Sequence, residues 1–88
     1  MGAKVASPER PVFALVGDGA FMMNPVSELV TLIREKIPIT VVVARNDMWW
    51  AEGLNCHLYF DKRYGGCAIE SPSFAGVARA MGDDSQIR

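Results

Sequence analysis

The sequence predicts an α/β fold in which a parallel sheet is flanked by helices. Three observations predict it: an apolar run over Pro11–Val16, a β-branched run over Ile39–Ala44, and a helical pattern between them. Continuous apolar runs without alternation are typical of strands that are covered on both faces. The order strand, helix, strand indicates a right-handed crossover unit, so we expect the second strand to lie beside the first and parallel to it.

The helix between the two strands has clear start and stop signals. Asn24 is the predicted N-cap, and Pro25 suits the first helical position because a missing N–H costs nothing there. The helix should run to about Glu35, and Pro38 should enforce its end. Apolar residues spaced by three and four predict one buried face, formed by Val26, Leu29, Val30 and Ile33.

The second half of the chain is less regular. Residues 45–69 are aromatic, polar and glycine-containing with no clear period, which predicts a long binding loop with a short helix inside it. Ser71-Pro72-Ser73-Phe74 predicts the start of a final helix by the same cap-plus-proline pattern. Gly82 predicts the end of that helix.

Composition restricts the class of protein. With 88 residues, 50% apolar content and a net charge of −1, we expect one partial domain that spans residues 1–88 and has a small core. Lys and Arg form no cluster, which argues against nucleic-acid and anionic-membrane partners. No apolar run approaches the roughly 20 residues of a membrane span, and the N-terminus has no signal-peptide pattern. We therefore predict a cytoplasmic location.

Cys56, His57 and Cys67 are the residues that suggest a zinc site. They supply three soft ligands where structural zinc usually takes four, and the cysteines form no C-x-x-C pair. We expect two reduced thiols instead. His57 has no evident partner in the sequence, so a polar loop position is favoured over a catalytic base.

Gly17-Asp18-Gly19, directly after the first apolar run, is the most informative motif. Two glycines permit a sharp turn and a close approach to a ligand, and parallel strands would deliver Asp18 and Asn46 to the same sheet edge. A carboxylate, an amide oxygen and a backbone carbonyl just after Asn46 suit Mg²⁺. Backbone N–H groups around Gly19, Ala20 and Phe21 suit a phosphate. The alternative is an ordinary strand-ending turn with a surface aspartate.

The spacing from Gly17-Asp18-Gly19 to Arg45-Asn46 resembles the thiamine diphosphate motif of the acetolactate synthase and pyruvate decarboxylase superfamily. Within it, Arg34–Pro38, Trp49 with Ala51-Glu52, Asn55 and Tyr59–Tyr64 are similar to the sulfoacetaldehyde acetyltransferase family. The resemblance covers most of the chain. It implies a partial thiamine diphosphate-binding fold with thiamine diphosphate and Mg²⁺ as cofactors, and transfer of a two-carbon unit.

The resemblance also assigns roles to residues. It implies that Asp18 and Asn46 bind the metal with the backbone carbonyl of Met48, and that Gly17 to Phe21 contact the cofactor. Glu52 occupies the position of an acidic group that faces the substrate in related decarboxylases. Two features depart from the pattern: Arg45 replaces the first asparagine of the usual pair, and the stretch 21–27 carries one extra residue.

The superfamily places its cofactor between this domain and a pyrimidine-binding domain of a partner subunit. No such domain fits in 88 residues, so the resemblance implies a fragment that is inactive alone and forms a homo-oligomer or joins a partner subunit. Gly2–Ala6 resembles the tail of a helix. The alternative is a noncatalytic module that associates with itself or with another subunit through Trp49, Trp50 and the long loop.

Overall fold

The computed structural model describes residues 1–23 and 25–82, and within them it has the predicted α/β architecture. Two parallel strands, β1 (Phe13–Gly17) and β2 (Thr40–Ala44), form the sheet. The helices, in chain order, are α1 (Gly2–Ala6), α2 (Asp18–Met23), α3 (Pro25–Arg34), α4 (Trp50–Tyr59) and α5 (Phe74–Ala80).

The strand register brings the two chemical motifs to one edge. Phe13 pairs with Thr40 at the start of the ladder, and Gly17 pairs with Ala44 at its end. Because the strands are parallel, the residues that follow Gly17 and Ala44 emerge side by side at the carboxyl edge of the sheet. This confirms the predicted parallel pairing.

Among residues 1–23 and 25–82, only one face of the sheet is covered, which differs from the prediction of strands buried on both faces. Exposure alternates along β1 and β2. Phe13 is 68% and Leu15 78% exposed, while Ala14 and Val16 on the opposite face are half-buried. α2 contacts both strands and lies beside α3, which in turn contacts α5.

The core of the described residues is small and lies on the α2 side. Phe21 is 4% exposed, and its ring meets Phe74 of α5 edge-to-face, with centroids 5.0 Å apart. Leu29 and Ile33 on α3 are half-buried, and Val30 is exposed. The predicted α3 face is therefore only partly buried. Asn24 and the side chain of Val26 lie outside the described residues.

Helix α3 ends before the proline that was predicted to stop it. Lys36 takes a left-handed conformation with φ of 52°, and its N–H donates to the Ile33 carbonyl at 3.2 Å. The N–H of Ile37 reaches back to the Leu32 carbonyl at 2.9 Å. These two bonds form a Schellman motif, so the helix is already closed when the chain reaches Pro38.

The N-cap of α5 lies two residues after the serine that the cap-plus-proline pattern indicated. Ser73, not Ser71, is the N-cap, and its Oγ accepts the N–H of Gly76 at 3.1 Å. The predicted end at Gly82 is confirmed, since Gly82 follows the C-cap Met81 with φ of 95°.

Candidate functional site

Asp18 lies where β1 ends and α2 begins, and its carboxylate joins both halves of the motif. It is only 3% exposed. Its Oδ1 accepts the N–H of Gly19 at 2.8 Å, while its Oδ2 accepts the N–H groups of Asn46 at 3.0 Å and Asp47 at 2.6 Å. The structure therefore brings together two segments that are 28 residues apart in the sequence.

These bonds keep Asp18 ionised. Burial alone would raise the pKa of Asp18, but hydrogen bonds from the backbone N–H groups of Asp47, Asn46 and Gly19 outweigh that effect. A further bond comes from the Ser71 hydroxyl, which donates to Oδ2 at 3.3 Å. The net result is a pKa below the ordinary aspartate value, so the site presents a buried anion at neutral pH.

The turn after β2 is shaped by the side chain of Asn46. Its Oδ1 accepts the N–H of Met48 at 3.1 Å across Asp47, which has φ of 54°. This Asx-type turn is the geometry that short polar side chains favour. Asn46 thus lies beside Asp18 through its backbone, and its amide oxygen lies in the same turn that carries the Met48 carbonyl.

Arg45, which departs from the asparagine of the motif that the sequence resembles, contacts a residue of its own turn. Its Nε donates to Oδ1 of Asp47 at 2.8 Å, and both side chains are about half-exposed. Hydrogen bonds from Arg45 and Ser71 lower the pKa of Asp47. Asp47 is therefore a second ionised carboxylate at the carboxyl edge of the sheet.

The two glycines of the motif do not form the sharp turn that the sequence predicted. Residue 18 is already helical, and neither glycine has a positive φ. A Cβ on Gly19 would lie 2.8 Å from the indole of Trp49, so Gly19 is needed for close packing of that ring. A Cβ on Gly17 would meet nothing within 4 Å.

The predicted loop between residues 45 and 69 contains the ten-residue helix α4 and a cavity beside it. Met48, at the bridge to Ala68, is half-buried and lines a cavity of about 340 Å³ with residues of α4 and Tyr64. His57 lines it too, and its Nδ1 lies 2.8 Å from the Tyr64 hydroxyl. Glu52 is exposed in the first turn of α4.

Two parts of this arrangement were missed from the sequence. Ser71 donates to Asp18 from 53 positions away, and Tyr64 provides the partner that His57 lacked. No sequence pattern near either residue predicts these contacts, because both depend on how the chain folds back after α4. The position of Ser71 just before a proline and a helix was its only sequence signal.

Comparison with known protein families decides the class. The family described as "Thiamine pyrophosphate enzyme, C-terminal TPP binding domain" matches residues 1–88. The chain belongs to this family. Membership in this thiamine pyrophosphate enzyme family implies thiamine diphosphate as the cofactor.

Individual members of the family are also similar to this chain. Sulfoacetaldehyde acetyltransferases from Castellaniella defragrans and Alcaligenes xylosoxydans xylosoxydans are 45% and 43% identical over 99% of it. The acetolactate synthase isozyme 2 large subunit of Escherichia coli is 36% identical over 98%. The chain spans 14% of the length of the first two proteins and 16% of the third. Among the helices of residues 1–23 and 25–82, none is long and apolar enough to cross a membrane.

Proposed function

We propose that this chain binds the diphosphate of thiamine diphosphate through a Mg²⁺ ion held by Asp18, Asn46 and the Met48 backbone carbonyl. The observation that carries the proposal is the pair of hydrogen bonds from the Asn46 and Asp47 N–H groups to Asp18 Oδ2, at 3.0 and 2.6 Å. They hold the carboxylate of one motif against the turn of the other.

The donor set fits a hard divalent cation. Mg²⁺ takes oxygen ligands, usually with one or two carboxylates among them. Asp18 is buried and ionised, and its Oδ1 accepts a single N–H among the contacts of the described residues. The amide oxygen of Asn46 likewise accepts the Met48 N–H and has a second lone pair. Both side chains therefore retain capacity for a metal ion.

The start of α2 supplies the groups for the diphosphate. The first N–H groups of a helix have no partner within it, which makes those of Ala20 and Phe21 suitable donors beside Gly19. No atom of the described residues would meet a Cβ at Gly17 within 4 Å, so they leave space for a ligand at the end of β1. Thiamine diphosphate, when bound, supplies the electron sink for breaking a carbon–carbon bond, and the protein contributes orientation and charge neutralisation.

The activity that these features support is two-carbon transfer in an enzyme resembling sulfoacetaldehyde acetyltransferase. We place Glu52 on the substrate side of the site, and we assign the pyrimidine-binding domain to a partner subunit. The exposed Phe13 and Leu15 on β1 support association with further protein, because large apolar surface is unfavourable in water.

The same exposed strand face supports a second candidate, a noncatalytic module that only associates with itself or another subunit. Under this alternative, the chain would form oligomers but would not bind thiamine diphosphate. Calorimetric titration with thiamine diphosphate and Mg²⁺ separates the two functions, since the first requires binding and the second does not, and light scattering of the native chain measures the association itself.

Calorimetric titration of Mg²⁺ and thiamine diphosphate tests the proposed site directly. We expect Asp18→Asn to weaken binding at least about 100-fold, since loss of a ligand exceeds the 10–100-fold cost of disturbing its supporting shell. Asn46→Ala should also weaken binding. The matched control is Asp61→Asn, an exposed carboxylate beyond α4, which should bind as the native chain does. Absent heat with the native chain, or equal affinity in Asp18→Asn, would contradict the proposal.

A further inference from the structure

Two cysteines that are far apart in the sequence lie side by side next to the candidate site. The Sγ atoms of Cys56 and Cys67 are 3.6 Å apart. Cys56 lies in α4 and is half-buried, whereas Cys67 is 3% exposed. A disulfide requires a separation of about 2.05 Å, so the sulfurs need to approach by roughly 1.5 Å.

The segment that connects the two cysteines has room for the sulfurs to approach by this distance. The turn that joins the two cysteines contains Gly65 and Gly66, and an added Cβ at either would meet nothing within 4 Å. The connecting segment thus has open space around it. Within the described part of the chain, no third His, Cys, Asp or Glu joins the pair in a group that could hold a metal ion, so the two thiols are not part of such a ligand set.

Cys67 is also connected directly to the metal-side turn. Its carbonyl accepts the N–H of Trp49 at 2.8 Å, and its neighbour Ala68 forms the antiparallel bridge with Met48. The N–H of Ile69 donates to the Asp47 carbonyl at 3.0 Å. A covalent bond between the cysteines would therefore tie α4 to residues 47–49.

We propose that Cys56 and Cys67 form a redox-sensitive pair that closes into an intramolecular disulfide on exposure to a small-molecule disulfide, and so clamps residues 47–49 against α4. This inference stands apart from the proposed cofactor binding, because it depends only on the two sulfurs and the backbone bonds around Cys67.

The order of attack follows from exposure. Burial, the neighbouring Cys56 and the charge of Glu52 raise the pKa of Cys67, so the first attack falls to the more accessible Cys56. Its thiolate attacks one sulfur of the small disulfide and releases the other half as a thiolate. The Cys67 sulfur then attacks Cys56, gives its proton to solvent and releases the second half. The cysteines lose two electrons and two protons, and the small disulfide becomes two thiols.

Equilibration of the full 88-residue chain with reduced and oxidised glutathione tests the pairing. We expect the intramolecular disulfide, detected as a loss of two hydrogen masses, to have an effective concentration at least about tenfold higher in native buffer than in concentrated guanidinium chloride. Cys67→Ser should yield only a mixed disulfide of Cys56 with glutathione, and Cys56→Ser, which leaves the buried Cys67, should react more slowly in native buffer. Equal effective concentrations in the two solvents, or disulfides mainly between chains, would overturn the proposal.

Amide hydrogen exchange of the reduced and oxidised chain tests the clamp. The Trp49 and Ile69 amides should exchange at least about fivefold more slowly after oxidation, because their acceptors would be held in place. The Val77 amide, bonded to the Ser73 carbonyl within α5, is the matched control and should not change. Unchanged exchange at Trp49 and Ile69 in the oxidised chain would overturn the clamp.

Discussion

At the carboxyl edge of the sheet Asp18 is 3% exposed and held by four hydrogen bonds, whereas on the open face of the same strands Leu15 is 78% exposed. The polar edge is thus completed by groups from three segments of this chain. The open apolar face has no comparable cover among the described residues. This difference indicates that hydrogen bonds between separate segments of the chain, more than a large hydrophobic core, fix the geometry of the site.

The same contrast predicts where substitutions will matter. Side chains on the α2 side pack against other parts of the chain, and those on the open face largely contact water. Removing apolar atoms should therefore be costly in the first region and nearly neutral in the second.

Phe21→Ala compared with Phe13→Ala is the strongest way to test that contrast. Phe21 is 4% exposed against Phe74, so its truncation should lower the free energy of unfolding by about 3–5 kcal/mol, enough to unfold a marginal chain. Phe13 is 68% exposed in the single chain, and at concentrations where the chain is monomeric its truncation should change the free energy of unfolding by no more than about 0.5 kcal/mol. Urea unfolding followed by circular dichroism measures both. Equal losses would show that the open face is covered in solution.

The two glycines of the motif sharpen the comparison at the edge itself. Gly19→Ala places a Cβ 2.8 Å from the Trp49 ring and should cost about 1–3 kcal/mol in the free energy of unfolding. Gly17→Ala meets no atom within 4 Å and serves as the control. Thermal unfolding together with Trp fluorescence reports stability and the position of the indole. A neutral Gly19→Ala would mean that the ring does not pack on this backbone.

Ser73→Ala should have a smaller effect, at the start of the helix whose Phe74 packs on Phe21. The Ser73 hydroxyl caps α5 through the Gly76 N–H, and losing that bond should cost about 1 kcal/mol in the free energy of unfolding. Ser73→Asp retains a capping oxygen and should be close to the native chain in the same urea titration. A loss in Ser73→Asp as large as that in Ser73→Ala would contradict the capping role.

The smallest difference that we expect is in the pH dependence of stability. Asp18 has a lowered pKa in the folded chain, so its contribution is present above the unfolded pKa and is lost as pH falls through the folded value. Urea titrations from about pH 6 downward should therefore show a steeper decline for the native chain than for Asp18→Asn. Parallel declines would indicate that Asp18 titrates alike in both states.

Much of the fold follows from local sequence. The apolar runs, the Pro25 start and Gly82 are sufficient to predict two parallel strands, the main helix and the last helical end. The Schellman end at Lys36 and the cap at Ser73 were not evident, because both depend on backbone conformations that several nearby residues can adopt. The burial of the strands was overestimated, since an apolar run shows that a segment is hydrophobic but not which segment covers it.

The candidate site was predictable only in its outline. Parallel topology is enough to place Asp18 near Asn46, and the structure adds which atoms meet. The Ser71 bond to Asp18 and the contact between Cys56 and Cys67 both depend on how the chain folds back after α4. The sequence of that segment has no periodic pattern that predicts its path. The individual ligand roles of Asp18, Asn46 and Met48 stay predictions.

Substitution of Mn²⁺ for Mg²⁺ tests most directly whether one ion is shared by the two motifs, since Mn²⁺ accepts the same oxygen ligands and broadens nearby NMR signals. With thiamine diphosphate present, we expect simultaneous broadening of the Gly19 and Asn46 amide signals at substoichiometric Mn²⁺, and loss of the Gly19 broadening in Asn46→Ala. No broadening of either signal in the native chain, or unchanged broadening in Asn46→Ala, would contradict a cation held jointly by Asp18 and Asn46.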